Sequence, residues 1–188
     1  PRGTLTVALP MAFGREIVSP HLASFQADFP DIRLDIRIGS GQPDLIRDAI
    51  DIAVVVGSIA DSDLIRQVLI DTPLIWIASP EVAAALPVHP TSEELSSLIR
   101  VAETRYAETP VSVNDNTGAA RRITLDTTRV ARVNDPIILR GMVCSGGGLS
   151  FAPDIYCRAA IAEGTLVRMY PNLLIREESS LSLLYPGR

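Results

Sequence analysis

The stretch CSGGGLSFAP (144–153) gathers a thiol, two serines and three consecutive glycines. Two kinds of chemistry use such groupings. A phosphate-cradling loop needs a strand before it, Lys-Ser/Thr after it and a helix leaving it. A G-x-S-x-G nucleophile elbow needs its serine on a strand-to-helix turn. Here a helical pattern comes first and a strand pattern second, and no lysine stands nearby. GLSFA (148–152) ends in Ala152 where the elbow needs glycine, and Ser150 falls inside the strand pattern. Gly146, Gly147 and Gly148 therefore read as the stop of a helix, where positive φ is needed, and a tight lead into a strand.

The remaining reactive groups are equally dispersed. Only His21 and His89 could act as a base; the first falls in a helical stretch, the second in a loop between prolines. Cys144 and Cys157 lie in helical patterns and read as free thiols used as small core residues, since spacing alone does not establish disulfide geometry. Cys/His spacing of metal-site type is absent, so no metal or cofactor is expected. Carboxylates are scattered, mostly beside arginines, which suits solvated faces. These residues do not compose an enzyme.

A chain of 188 residues with 47% hydrophobic content can fill one ordinary domain or two small ones. No apolar run reaches the roughly 18 residues of a membrane span. The opening PRGTLTVALP lacks the parts of a secretory signal, and a cytoplasmic location is the expectation. The net charge of −5 gives no overall attraction to a nucleic acid backbone. Arg121 and Arg122 form a local basic spot, but acids offset it.

What must position any site is an α/β framework. TLTVAL alternates Leu5, Val7 and Leu9 on one face and reads as a strand. Val18, Leu22, Phe25 and Phe29 follow at helical steps, with Pro20 either a kink or the first position after a Ser19 cap. IRLDIRI (32–38) alternates strictly, and PDLIRDAI (43–50) reads as a helix with Pro43 at its first position. DIAVVVG (51–57) is the apolar run of a strand covered on both faces. This order implies a parallel sheet with right-handed crossovers. LIRQVLI (64–70) and LIWIAS (74–79) are strand-like. Two short helices follow, one capped by Ser79 with Pro80 first, the other opened by a Thr91/Glu94 capping box. Residues 103–122 are polar and turn-rich, with no clear organisation, and 123–133 read as two short strands. Asp135 then caps a helix with Pro136 first; LSFA is a strand, DIYCRAAIAEG a helix stopped by Gly164, and TLVRMY and LSLLY are strands.

The ordered ensemble TLTVALPMAF, DIAVVVG, LIRQVLI, WIASPE, NDPIILRGMVCSGGGLSFAP, GTLVRMYP and LLYPGR resembles the effector-binding regulatory domain of LysR-type transcriptional regulators. The resemblance spans nearly the whole chain and is weakest near 103–122. It implies the fold of type 2 periplasmic binding proteins: α/β, with two Rossmann-like lobes joined by two crossover strands. By position, lobe one is 1–72 with 171–188 and lobe two is 73–170. The family's winged helix-turn-helix would precede Pro1, so DNA is a partner only through that part, and a closing helix would follow LLYPGR.

The resemblance also implies a small-molecule effector held between the lobes by loops at strand ends and helix starts. In this sequence those are Pro10, Met11 and Ala12; Ser40 and Gly41; Val55 and Val56; and Asn134 with Asp135. Strand carboxyl ends and free helix N–H groups are general ligand positions. Each residue has a plainer use as well: Ser40 as a helix cap, Asn134 as a neighbour of the Asp135 cap, Met11 and Ala12 as pocket wall. Many members carry arginine where this chain has Val55, which removes one partner for an anion. A homodimer or tetramer is implied, with strand 32–38 and the adjacent helix at the interface. The alternative is a stand-alone solute-binding protein of the same fold that feeds a transporter; a lyase on this fold finds no acid–base pair to support it.

Overall fold

The computed structural model describes residues 1–39, 41, 43–57, 64–115 and 117–187. The chain divides into two compact units, Pro1–Asp71 with Ser179–Arg188 and Thr72–Glu178, so it passes between them twice.

Unit 1 is built on a five-stranded sheet of order β2-β1-β3-β13-β4. β1 (Gly3–Pro10) runs parallel to β2 (Ile32–Gly39) and to β3 (Ile52–Val56). β13 (Leu181–Pro186) is antiparallel to both β3 and β4 (Leu64–Ile70). The period of two sends Leu9, Val54 and Leu181 to one face, where they pack with Phe13 and partly buried Ile17 and Val18. Ala8, Ala53, Val55 and Leu184 go to the other, against Leu45 and Ile50.

The first helical stretch is continuous but not uniform. α1 (Met11–Phe13) passes through a π-helical turn at Gly14–Val18 and a 3₁₀ turn at Ser19–His21 into α2 (Leu22–Asp28). Pro20 has no N–H and would crowd the carbonyl of residue 16, and the ladder slips around it instead of breaking. Pro20 thus lies inside the helical run, with Ser19 making no cap.

The helix expected over 43–50 is a single turn. The Asp44 carboxylate accepts from the Arg47 N–H at 3.0 Å, and Ala49 at φ 49° ends the turn. Leu45 and Ile50 are buried by that turn, which satisfies the apolar pattern without a helix. Pro43 stands one residue ahead of the capping Asp44, not inside a helix.

Unit 2 centres on β5 (Leu74–Ala78), flanked antiparallel by β10 (Ser150–Pro153) and β11 (Val167–Met169). All of β5 is buried. Leu74, Trp76 and Ala78 face one cluster with Leu95, Tyr106, Phe151 and Tyr170, while Ile75 and Ile77 face another with Leu139, Val143, Cys157 and Ala160. The expected caps are present. Ser79 accepts from the Val82 N–H to open α3 (Pro80–Ala85), Thr91 and Glu94 form the capping box of α4 (Ser92–Leu98), and Asp135 opens α6 (Pro136–Cys144).

The stretch 103–122 acquires an order that the sequence reading lacked. β6 (Val101–Glu103) leads into a short α5 (Thr104–Ala107), then β7 (Val111–Asn114) and β8 (Ala120–Ile123) form an antiparallel hairpin. The Asp115 carboxylate makes the turn, accepting from the Thr117 and Ala119 N–H groups. A similar Asp126 turn precedes β9 (Ala131–Val133), which pairs parallel with β6. β12 (Leu174–Ile175) pairs with β7, so residues 171–178, expected in lobe one, belong to the second unit.

The glycine run terminates α6 as expected. Gly146 and Gly148 take φ 84° and 94°, and the Gly147 N–H donates to the Met142 carbonyl at 2.9 Å. α7 (Asp154–Ala162) follows β10 and is stopped by Gly164 at φ 74°.

Candidate functional site

In unit 1 three strand ends share one rim. Pro10 is opposite Gly39, and Ala8 is opposite Ala53, so Pro10 and Val55, each two residues further along, reach the same level. Met11 leaves this rim as the first helical residue and is 49% exposed. Pro10 offers that helix no side-chain cap, which leaves its first N–H groups without a side-chain acceptor among the described residues. Gly41 is exposed at φ 98°, two residues past β2. Ala12 and Val55 are buried in the unit 1 core, so their side chains serve packing; Val56 is partly buried at the end of β3. Ser40 lies outside the described residues.

In unit 2 the ends of β6 and β9 form a second rim, with Glu103 opposite Val133. Asn134 is exposed there, and Asp135 beside it is 5% exposed. Asp135 Oδ1 accepts from the Ile137 and Ile138 N–H groups, both at 2.9 Å, as a helix cap does. Its Oδ2 is buried without a partner. Glu103, which the sequence reading passed over, is only 2% exposed, and its Oε2 lies 3.2 Å from Arg105 Nε. Carboxylates beside arginines were expected on solvated faces; this pair of acids is enclosed instead. The apolar neighbours in VAE were the available signal, since a charge inside a buried strand end has little access to water.

Burial is the chief cause that raises the Glu103 carboxyl above its ordinary range; Arg105 opposes it and the Asp135 charge adds to it. The folded chain therefore keeps a proton that the unfolded chain releases. The stability this supplies is fully present below the ordinary glutamate value of about 4.3 and is lost as pH rises through the raised folded value. Glu103→Gln should remove that decline. Urea unfolding of both proteins from pH 4.5 upward should show the variant gaining on the parent as pH rises; parallel curves would refute the assignment.

The alternative chemistries find no support in the geometry. Ser150 is wholly buried and donates from Oγ to the Val101 carbonyl at 2.7 Å, which makes it a structural hydroxyl. Cys144 and Cys157 are both free, and burial pushes the Cys157 thiol up to about 12, the mark of an inert core cysteine. His21 and His89 are exposed, each on its own unit. Among the described residues no group of three or more His, Cys, Asp or Glu is placed to hold a metal, and no helix is long and apolar enough to cross a membrane.

Residues 1–187 match the LysR substrate binding domain family. Among curated proteins, the chain is 29% identical over 174 residues to an HTH-type transcriptional regulator of Xanthomonas campestris pv. campestris, covering 90% of this chain and 50% of that one. It is 31% identical over 172 residues to the HTH-type transcriptional regulator CrgA of Neisseria meningitidis serogroup B, covering 89% and 55% respectively. It thus spans about half the length of these relatives. The solved regulatory domain of CrgA, a LysR-type regulator from Neisseria meningitidis, superposes with a TM-score of 0.81 at 27% identity, covering 100% of this chain and 90% of that one. A sheet whose last strand is inserted between β3 and β4, a second α/β unit entered and left through two crossings, and a match over 187 residues together place the molecule. The chain belongs to the LysR substrate binding domain family.

Proposed function

We propose that the chain senses a small organic effector between its two lobes and passes the binding event to a DNA-binding part of a longer transcription regulator. The observation that carries this reading is the unit 1 rim, where Pro10, Met11, Gly41 and Val56 follow converging strand ends beside an uncapped helix start. Such rims are the usual ligand positions of open α/β sheets. In this reading Asn134 and Asp135 contribute from the second lobe, and the hydroxyl of Ser40, outside the described residues, is a further proposed donor. With valine at position 55, buried in the core, the effector is not held there by a guanidinium.

Coupling follows from differential affinity: an effector that binds one arrangement of the lobes more tightly shifts the population toward it. The protein works in the cytoplasm in this reading, as a homodimer or tetramer. β2 supports self-association, being a sheet edge on which no residue is fully buried and Ile38 stands exposed.

Calorimetric screening of small organic acids, amides and amines supplies the test. Against the ligand so identified, Ser40→Ala should weaken binding by the worth of one neutral hydrogen bond, about 0.5–1.5 kcal/mol, or a few-fold. Met11→Trp should weaken it further by filling the space, without unfolding unit 1, because the side chain is 49% exposed. Unchanged affinity in both variants, with a substitution elsewhere abolishing binding, would remove the cleft assignment.

A further inference from the structure

The chain crosses between the units at Asp71–Thr72 and again at Glu178–Ser179. Neither crossing is a free linker, since Thr72 and Ser179 are both buried. Unit 2 grips its own end of each. At the first, Thr72 Oγ1 accepts from the Ile155 N–H at 3.2 Å, and the Pro73 carbonyl accepts from the Asp154 N–H at 2.9 Å. Both bonds serve the start of α7, whose N-cap Pro153 makes no side-chain bond. At the second crossing, the Tyr106 hydroxyl donates to the Glu178 carbonyl at 3.2 Å.

What stands behind the second grip is the rim of the second lobe. Tyr106 is buried on the short α5, which begins directly after Glu103. Arg105 lies between the two and meets both. Its Nε is 3.2 Å from Glu103 Oε2, and its guanidinium carbon is 5.7 Å from the centre of the Tyr106 ring, within cation–π range. The charge of Asp135, the cap of α6, acts on Glu103 as well. A continuous run of contacts thus leads from the rim acids to the last residue of unit 2.

This run has two arrangements. Glu103 is enclosed, so solvent screens its pull on Arg105 only weakly. Arg105 is exposed, and without that pull its guanidinium is free to leave the Tyr106 ring for water. Two discrete arrangements of one packed contact are what energetic coupling requires.

We infer that Tyr106 is a positioning residue for the regulatory response: through Arg105 it converts a change of charge at the second-lobe rim into a shift of the Glu178–Ser179 crossing. The source of that change rests on the cleft reading above. The contacts themselves lie wholly within unit 2.

Backbone amide chemical shifts of the intact chain supply the test, at mildly alkaline pH so that Glu103 carries its charge. No effector is added, so failure of the cleft reading and failure of this one are told apart. Glu103→Gln removes the charge and keeps the shape, and it should move the amides of Glu178, Ser179 and Ser180. In a Tyr106→Phe background, which keeps the ring and loses the hydroxyl, the same substitution should leave those amides nearly still. Arg105→Gln should silence the response in the same way, whereas Arg105→Lys, still a cation, should keep part of it. Such non-additivity measures coupling, and side chains that only fill space independently would give equal shifts in every background. The Ile155 amide, at the first crossing, should stay in place throughout. Unmoved amides at 178–180 in Glu103→Gln, equal shifts with and without the Tyr106 hydroxyl, or shifts as large at Ile155 would each overturn the inference.

Discussion

Trp76→Ala should lower the stability of the second unit by about 3–5 kcal/mol, the cost typical of deleting a buried indole from a packed core. Trp76 is 1% exposed at the centre of β5. It meets Phe151 edge-on at 5.5 Å and Tyr170 edge-on at 6.4 Å, contacts worth about 0.5–1.5 kcal/mol beyond their area. Its Nε1–H also donates to the Leu173 carbonyl at 2.9 Å. Against a whole-domain stability of about 5–15 kcal/mol, such a loss brings the unit near its unfolding limit at 37 °C. Trp76→Phe separates the two contributions, keeping a ring but leaving the Leu173 carbonyl unpaired, and should cost about 1–3 kcal/mol. Because Trp76 is the single tryptophan, far-UV circular dichroism must follow the melts. A loss below about 1 kcal/mol for the alanine variant would mean that the two clusters flanking β5 do not depend on it.

Gly147→Ala should be the second large effect, at about 1–3 kcal/mol. A Cβ there would stand 2.6 Å from the Met142 carbonyl oxygen, backbone that cannot turn aside. That oxygen is the acceptor of the Gly147 N–H, so relief of the clash undoes the stop of α6. The neighbours give an internal ranking. Gly148→Ala meets Arg100 Cγ at 2.6 Å and Cβ at 2.9 Å, atoms too near the backbone to swing aside, and carries the strain of φ 94° as well. Gly146→Ala meets nothing within 4 Å and carries the left-handed penalty alone, about 1 kcal/mol. Thermal melts should therefore show the 147 and 148 variants both well below the 146 variant. Equal, small losses at all three would detach these glycines from the helix stop.

These two loci differ in how far they could be read in advance. The glycine run, the caps at Ser79, Thr91 and Asp135, and the alternation of β1 and β2 are local signals, and the structure keeps each of them. The segment 43–50 misled because Leu45 and Ile50 are as well buried by one Asp44-capped turn as by a helix. Residues 171–178 went to the wrong lobe because their assignment rests on β12 finding β7, a pairing across the chain with no local mark. In the hairpin, buried Val111 and Val113 did alternate, but polar residues around them hid so short a run. At the candidate site the strand ends were legible by order. The burial of Glu103 was not, since Arg105 two residues on is also what an exposed pair looks like.

The position of β13 has a consequence for synthesis on the ribosome. It lies between β3 and β4, and Arg66 reaches its partner Ser182 across 116 residues. Translation at about 5–20 residues per second delivers β13 only seconds after β3 and β4 have emerged. Unit 2, an uninterrupted Thr72–Glu178, has every residue it needs before Leu181 is made. The nascent chain therefore carries a first unit with two bare strand edges beside a second that is ready to fold. Those edges, Ile52–Val56 and Leu64–Ile70, are the segments a chaperone must shield until residues 181–186 arrive.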